Sequence, residues 1–345
     1  MLRKDLAGIP PYVPGKRNPT ALKLSSNEVA FGPLPAATAA MEKACATVNR
    51  YPDMGATDLI QALSEELHLP TSHIAVGVGS SALCQQLIDA TCTTDSEVLF
   101  PWPSFEGYPI FVQVNGAKPV PVALDENFRN DLDALAARIT DHTRVVFVCN
   151  PNNPTGTTVT EEAFRAFMDR VPTDVIVALD EAYFEYHRTD STPDATQLVQ
   201  HYPNLIGLRT FSKAFGLAGL RVGYAFGNPE IISALNKVAL PFAVNSIGQA
   251  AALASLQHID QLKERTNEVV QQRQRLQEEL SARGYTVVPS QSNFIWLPLE
   301  QPGDIEGLLQ KLEQANVLVR VFREGVRITV TDNTEMDRLL AAIGK

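Results

Sequence analysis

Leu205-Ile-Gly-Leu-Arg-Thr-Phe-Ser-Lys-Ala-Phe-Gly-Leu-Ala-Gly-Leu-Arg-Val-Gly-Tyr224 joins a short apolar run to a lysine that stands alone among apolar residues and glycines. The run at 205–208 reads as a buried strand, and it is the third of a series. Apolar runs at 145–149, 175–179 and 205–208 start 30 residues apart. A strand–helix–strand unit takes about 30 residues. Runs apolar on both faces, alternating with helices, indicate a mostly parallel sheet covered on each side. The series therefore predicts an α/β fold, a mostly parallel sheet flanked by helices.

Working outward, earlier strands are expected at 74–78, 97–100 and 119–123, and another at 222–226. Helices are expected at 36–48 and at 57–67, the latter stopped by Pro70. Residues 1–35, rich in Pro and Gly, read as an arm. After about residue 240 the texture changes. A long polar helical pattern at 259–283 ends at Gly284. Strands at 285–288, 294–297, 317–321 and 326–330 and helices at 304–315 and 333–343 follow. The division expected is an arm at 1–35, a large ligand-binding domain at 36–240 and a smaller α+β domain at 241–345. The length of 345 residues is enough for about two ordinary domains.

In an open α/β sheet, ligands sit beyond the carboxyl ends of the strands. There the unusual polar residues gather: Asn150-Pro-Asn-Asn-Pro-Thr-Gly156, Asp180-Glu-Ala-Tyr183 and the Thr210–Lys213 turn. A lysine held out of water loses basicity and attacks carbonyls as a Schiff-base former. Arg221, eight residues beyond Lys213, is a fixed cation suited to a phosphate, and Ser212 adds a hydroxyl. An aldehyde that carries a phosphate satisfies all three groups, and pyridoxal 5'-phosphate is such a molecule. An ordinary surface lysine is the bland alternative.

Other residues fit the same chemistry. An Asp beside the pyridine nitrogen keeps it protonated, making the ring an electron sink; Asp180 is placed for this, or for a helix cap. Tyr183 and Asn153 are candidates for the ring oxygen, although the Asn150–Gly156 stretch also reads as a Pro/Gly turn. Gly77-Val-Gly-Ser-Ser-Ala82 offers a helix N-terminus for the phosphate. It also matches a dinucleotide fingerprint, but the acidic residue that reading needs, Glu97, stands at the wrong end of its strand. Gly15-Lys16 lacks the rest of a P-loop.

The net charge of −10 argues against nucleic acid as a partner. The four cysteines, Cys45, Cys84, Cys92 and Cys149, form neither a CxxC pair nor a zinc spacing, and read as buried free thiols. The six histidines show no metal-binding spacing. No stretch approaches a membrane span and the start has no leader-like core, so a cytoplasmic protein is expected.

With these residues named, the chain resembles the fold-type I pyridoxal-phosphate aminotransferases, and within them the histidinol-phosphate aminotransferase subfamily. The likeness rests on Lys23-Leu-Ser-Ser-Asn-Glu28, Asn49-Arg-Tyr-Pro-Asp53, Gly77–Ser81, Asn150–Gly156, Asp180–Tyr183, Thr210–Tyr224, Ser292-Asn-Phe-Ile295 and Gly325-Val-Arg-Ile-Thr-Val330. It implies pyridoxal 5'-phosphate as cofactor and no metal. Lys213 would be the Schiff-base lysine and proton shuttle. Asp180 would pair with the pyridinium, with Tyr183 and Asn153 at the ring oxygen. Phe105, in Trp102-Pro-Ser-Phe-Glu-Gly-Tyr108, would stack on the ring. Gly79, Ser80, Ser81, Thr210, Ser212 and Arg221 would surround the phosphate, and Tyr51 would reach the phosphate of a second subunit in a homodimer with shared sites. Arg327 would clamp the substrate carboxylate, with Tyr12, Asn27, Asn153 and Arg320 around the substrate.

Two substrates fit the resemblance. The early segment Asn27-Glu-Val-Ala-Phe-Gly-Pro-Leu-Pro35 departs from the subfamily's Asn-Glu-Asn-Pro and looks like the actinobacterial aromatic amino acid aminotransferases, which also share Tyr12-Val-Pro-Gly-Lys16. That implies phenylalanine and tyrosine as donors and 2-oxoglutarate as acceptor, with Tyr12, Phe31 and Phe105 as apolar walls. Arg320 matches a position that grips phosphate in histidinol-phosphate enzymes and supports that alternative. A pyridoxal-phosphate-sensing regulator would need a DNA-binding module, for which the arm is too short and Pro-rich. A decarboxylase of related fold stays open, because fold does not fix reaction.

Overall fold

The computed structural model describes residues 3–13, 15, 18–300 and 302–344. Pro14 and Lys16 of the Tyr12–Lys16 motif, and so the lysine of Gly15-Lys16, lie outside them. Among the described residues the strands are β1 (Leu22–Leu24), β2 (Ile74–Gly77), β3 (Glu97–Trp102), β4 (Lys118–Ala123), β5 (Thr143–Cys149), β6 (Ile176–Asp180), β7 (Leu205–Thr210), β8 (Gly223–Gly227), β9 (Phe294–Pro298), β10 (Val317–Val321) and β11 (Gly325–Thr329). They form a seven-stranded sheet in the order β2-β8-β7-β6-β5-β3-β4 and a four-stranded sheet in the order β1-β10-β11-β9.

The large sheet is parallel from β4 through β3, β5, β6 and β7. Every residue of β7 is buried, and nearly every residue of β5 and β6, as strands covered by helices on both faces must be. β8 runs antiparallel to β7 and to β2. The segment between Thr210 and Gly223 forms only the short helical turn Ala218–Leu220, no crossover helix, and the chain turns back.

Helices form where apolar residues keep a helical spacing. In the helix Thr57–Leu67, Leu59, Leu63 and Leu67 face the core at every fourth position. It ends at His68, whose φ of 54° lies in the left-handed region, two residues before Pro70. The long helix Ile259–Ala282 is polar outside and buries a stripe that includes Leu262, Val269, Leu276 and Leu280. In that stripe Arg273 donates Nη1 to the Tyr186 carbonyl (3.1 Å), beyond β6, and to the Ser292 carbonyl (2.9 Å), just before β9. One guanidinium thus ties the helix to both sheets.

Two expectations change. The strand expected at 285–288 is reduced to a single bridge, Val288 to Trp296. The reason is hydrogen bonding: Tyr285 N–H closes the long helix onto the Leu280 carbonyl, and Thr286 N–H goes to the Pro302 carbonyl, so the donors are already used. The arm also contributes a strand. β1 joins the second sheet beside β10, in parallel register Leu22 to Val317 and Leu24 to Val319. The thiols also divide: Cys84 and Cys149 are buried, but Cys45 is exposed.

Candidate active site

Sheet order brings the rim together. β5, β6 and β7 are adjacent and parallel, so the segments after Cys149, Asp180 and Thr210 leave side by side; Cys149 and Asp180 share a register position. Being antiparallel to β8, β2 is parallel to β7, and its end at Gly77 pairs with Gly223, which pairs with Thr210. Residues distant in sequence therefore meet around one cavity of about 370 Å³. Its wall includes Tyr12, Asn27, Ser80, Ser81, Phe105, Asn153, Asp180, Tyr183, Thr210, Ser212, Lys213, Arg221, Arg320 and Arg327. Gly79 borders it as the cap of the helix Ser80–Thr91. Tyr51 does not enter it: the ring is 83% exposed and stacks on Phe242 at 4.7 Å between centroids. Phe31 is not in the wall either; it packs near the Arg265 guanidinium. Ile110 and Phe111 stand in the wall instead.

At one end the site is built for an anion. The helix Ser80–Thr91 opens toward Arg221, whose Nη2 donates to Ser81 Oγ (3.3 Å) and Nη1 to Ser212 Oγ (3.1 Å). A Cβ on Gly79 would lie 2.6 Å from Arg221 Nη2, and one on Gly223 would lie 2.3 Å from Ser80 N. Glycine at both places keeps the cradle open. Helix N–H groups, the Ser81 and Ser212 hydroxyls and a cation together suit a phosphate.

Lys213 Nζ donates to the Ser26 carbonyl (3.1 Å) and lies 5.7 Å from the Tyr183 ring centroid. Burial, then the nearby Arg327 cation, lower its pKa to about 7. At neutral pH much of the amine is therefore free base, which is what attack on an aldehyde requires. Asp180 is buried, and burial raises its pKa, opposed by hydrogen bonds from Tyr108 Oη (2.6 Å) and Ala182 N–H (3.2 Å). Those bonds hold the carboxylate as a fixed acceptor at the floor. Tyr183 Oη accepts from Asn27 Nδ2 at 2.9 Å. Asn27 is itself pinned, its N–H to Thr329 Oγ1 (3.0 Å) and its carbonyl accepting from Asn293 Nδ2 (3.1 Å).

The second sheet supplies two cations. Arg320 on β10 and Arg327 on β11 are register partners. Arg327 Nη2 donates to the Ser25 carbonyl (2.7 Å) and Nη1 to Asn153 Oδ1, while its buried Nε has no partner. Arg327 lines the cavity and has no carboxylate partner among the described residues, a cation that suits a ligand carboxylate. Arg320 is paired with Glu106. Cys149 also borders the cavity, but burial, then Asp180, raise its pKa, so it is no nucleophile. No cluster of metal-ligating side chains exists among the described residues.

Glu106 and Tyr108 carry no signal of their own in the sequence beyond sitting beside Phe105. Their partners, Arg320 and Asp180, lie 214 and 72 positions away.

The lysine amine near neutrality, the buried acid and the anion cradle match the amine-reactive, ring-nitrogen and phosphate ends of pyridoxal 5'-phosphate. The comparisons agree. The family model for aminotransferase class I and II matches residues 19–343. An aromatic amino acid aminotransferase of Corynebacterium diphtheriae is 61% identical over 99% of this chain and 98% of its own length. One of Rhodococcus jostii is 51% identical over 98% of this chain and 94% of its own. Among solved structures, histidinol-phosphate aminotransferase from Sinorhizobium meliloti in complex with pyridoxal 5'-phosphate superposes with a TM-score of 0.86 at 31% identity, covering 94% of this chain and 90% of that one. An aspartate aminotransferase mutant of Thermus thermophilus shares the fold, with a TM-score of 0.85 at 23% identity over 99% and 98% of the two chains.

Proposed function

The chain belongs to the class I and II aminotransferases, and we propose from that premise that it transfers the amino group of phenylalanine or tyrosine to 2-oxoglutarate, with pyridoxal 5'-phosphate as its cofactor. The observation that carries this reading is one cavity that unites a lysine near neutrality, a buried acid and an arginine with no carboxylate partner among the described residues.

When bound, the cofactor supplies an aldehyde that carries the amino group and a protonated ring that draws electrons from the substrate α-carbon. The chain's own residues do the rest. Arg221, Ser80, Ser81 and Ser212, with Gly79 and Thr210 beside them, hold the phosphate. Asp180 keeps the ring nitrogen protonated. Tyr183 and Asn153 hold the ring oxygen, and Phe105 covers a ring face. Arg327 orients the amino acid by its carboxylate. Lys213 Nζ, free of its third proton near pH 7, would take the proton from the substrate α-carbon and hold it for return. Tyr12 and Asn27 close the substrate end. Histidinol phosphate is the second reading, and the register pair of Arg320 and Arg327 favours it.

The reading includes a homodimer. Tyr51 and Phe242, with Val48, Met54 and Leu240 nearby in sequence, expose large apolar surface that a second copy would cover. Tyr51 would then reach the partner's phosphate site. The domain division at 36–240 and 241–345 behind an arm, and a cytoplasmic location in keeping with four free thiols, belong to the same proposal. No helix of the described residues is long and apolar enough to cross a membrane.

The test is a half-reaction. Cofactor-saturated protein is mixed with phenylalanine, tyrosine or histidinol phosphate without acceptor, and the cofactor absorbance is followed, with K213A as the blank. Conversion by both aromatic amino acids, and none in K213A, is expected. Conversion by histidinol phosphate at least tenfold more efficient than by either, about 1.4 kcal/mol of discrimination, would reverse the substrate assignment.

A further inference from the structure

Arg320 does not meet the cavity as a free cation. Its Nη2 donates to both oxygens of Glu106, at 2.7 and 2.9 Å. Both residues line the cavity, yet they come from different sheets. Glu106 caps the helix Gly107–Asn115 that follows β3, and Arg320 stands on β10. The pair is largely shielded, with side-chain exposures of 17% for Arg320 and 33% for Glu106. Shielding strengthens a charge contact that water would otherwise screen.

The neighbours explain what the pair does. Arg320 sits directly across from Arg327, and two guanidinium groups at opposed positions repel. Glu106 neutralises the first and leaves the second, which lines the cavity without a carboxylate partner among the described residues, as the cation open to a carboxylate. The wall residues close to Glu106 in sequence, Phe105, Ile110 and Phe111, are apolar. An amino acid held at Arg327 would then extend its side chain toward a closed ion pair and an apolar surface. A neutral ring loses nothing there. A side-chain carboxylate or phosphate gains Arg320 only by displacing the Glu106 carboxylate, and until then it faces a like charge.

We propose that Glu106 is a specificity-determining residue: by occupying Arg320 it makes the pocket prefer substrates with uncharged side chains and disfavours anionic ones, histidinol phosphate and dicarboxylic amino acids alike. The acidic acceptor is subject to the same opposition and has to open the pair. This rests on the aminotransferase reading above, because it needs an amino acid anchored at Arg327.

The test is Glu106→Gln, which keeps size and removes charge. kcat/KM is measured for phenylalanine, glutamate and histidinol phosphate as donors, and KM for 2-oxoglutarate. Binding of glutarate and 3-phenylpropionate is measured by calorimetry as a readout that does not depend on turnover. The preference for phenylalanine over both anionic donors should narrow at least tenfold, glutarate should gain at least tenfold over 3-phenylpropionate, and KM for 2-oxoglutarate should fall. In E106Q/R320Q these gains should vanish, because the released cation is gone. E106D, whose shorter arm loosens the pair without removing the charge, should move the ratios in the same direction by less, and it decides the matter should E106Q not fold. Equal changes for neutral and anionic ligands, or gains that persist in the double variant, would overturn the assignment of Glu106. A wild-type protein that fails to convert phenylalanine would instead overturn the function on which it rests.

Discussion

Arg209 and Arg327 are both buried cations, 7% and 6% exposed, one on each sheet. Arg209 is closed in by acids. Its Nε donates to Glu181 (2.8 Å) and Nη2 to Asp194 (2.9 Å), and its guanidinium carbon lies 3.6 Å from the Phe184 ring centroid. Arg327 is held by a carbonyl and an amide, has no carboxylate partner among the described residues, and keeps one donor unused. Burial alone would weaken both cations. At Arg209 the neighbouring acids, Glu181 first, reverse the effect and hold it charged; at Arg327 burial prevails and the pKa is lowered. The first cation is complete within the fold. In the proposed function the second is completed by a ligand that brings a negative charge. Incomplete pairing, rather than burial, would then separate a binding cation from an architectural one.

The largest break in this comparison is Arg327→Met. Truncating one partner of a buried charged hydrogen-bonded pair costs about 2–5 kcal/mol, so kcat/KM for phenylalanine should fall by roughly a thousandfold. Folding stability should hold or rise, because a desolvated cation has been removed. A second readout follows from Lys213, whose pKa of about 7 owes most to burial and next most to Arg327. Only the neutral amine captures the cofactor, so capture by the cofactor-free protein should rise with pH through about 7 in the wild type and through a higher midpoint in the variant. Linkage has the matching sign. The unfolded lysine keeps its proton up to about 10.4, so between about 7 and 10 the unfolded state binds more protons and this group's contribution to stability grows with pH. An activity loss matched by an equal loss of stability would place Arg327 with Arg209.

Arg209→Met should act the other way. It strands Glu181, whose side chain is fully buried, and stranding a buried ion costs about 3–5 kcal/mol. Activity per folded molecule should change less than about tenfold, which corresponds to under 1.4 kcal/mol. Burial already raises the Glu181 pKa while Arg209 opposes it. Without Arg209 the folded pKa rises further above the unfolded value. The folded state then binds more protons than the unfolded one between those values, so the variant should lose stability as pH rises. Denaturant melts at pH 5 and 8 check this; a deficit independent of pH would mean Glu181 is not the stranded group.

These two arginines also show what was legible in the sequence. The rim of the large sheet announces itself locally: each polar cluster follows its own apolar strand, so Asn153, Asp180, Ser212 and Lys213 are found by reading forward from 145, 175 and 205. The helix Asn333–Ile343 and the strand β10 also have the expected bounds. What fails to appear is pairing across distance. Nothing local distinguishes Arg209 from Arg327, because their partners lie 15 to 302 positions away. Glu106 reads as one more charged surface residue until β10 brings Arg320 to it. The strand expected at 285–288 fails for the same reason, its amides being taken by Leu280 and Pro302. Phe31, expected as an apolar wall for the substrate ring, packs near the Arg265 guanidinium.

Tyr108 tests the comparison at its finest grain, because it stands between the two kinds of residue. It is fully buried and stacks on Phe147 at 4.5 Å, as a core ring does. It also meets Phe105 edge-on at 5.3 Å and donates its hydroxyl to Asp180 Oδ2 at 2.6 Å, as a site residue does. Tyr108→Phe keeps the ring and removes that donor. Asp180 would keep the weaker bond from Ala182 N–H at 3.2 Å. One hydrogen bond to a buried charged group is worth about 1.5–3 kcal/mol, and in the proposed function Asp180 has to stay ionised to hold the ring nitrogen protonated. Burial already raises its pKa and the Tyr108 hydroxyl lowers it. Without the hydroxyl the carboxyl rises further, so the acid limb of the kcat profile should move to higher pH. At neutral pH kcat should fall about tenfold, roughly 1.4 kcal/mol, with little change in KM for phenylalanine, whose carboxylate is held elsewhere. A loss of stability with an unmoved acid limb would make Tyr108 a core residue that happens to touch Asp180. A moved limb in a protein of unchanged stability would make it the residue that positions Asp180.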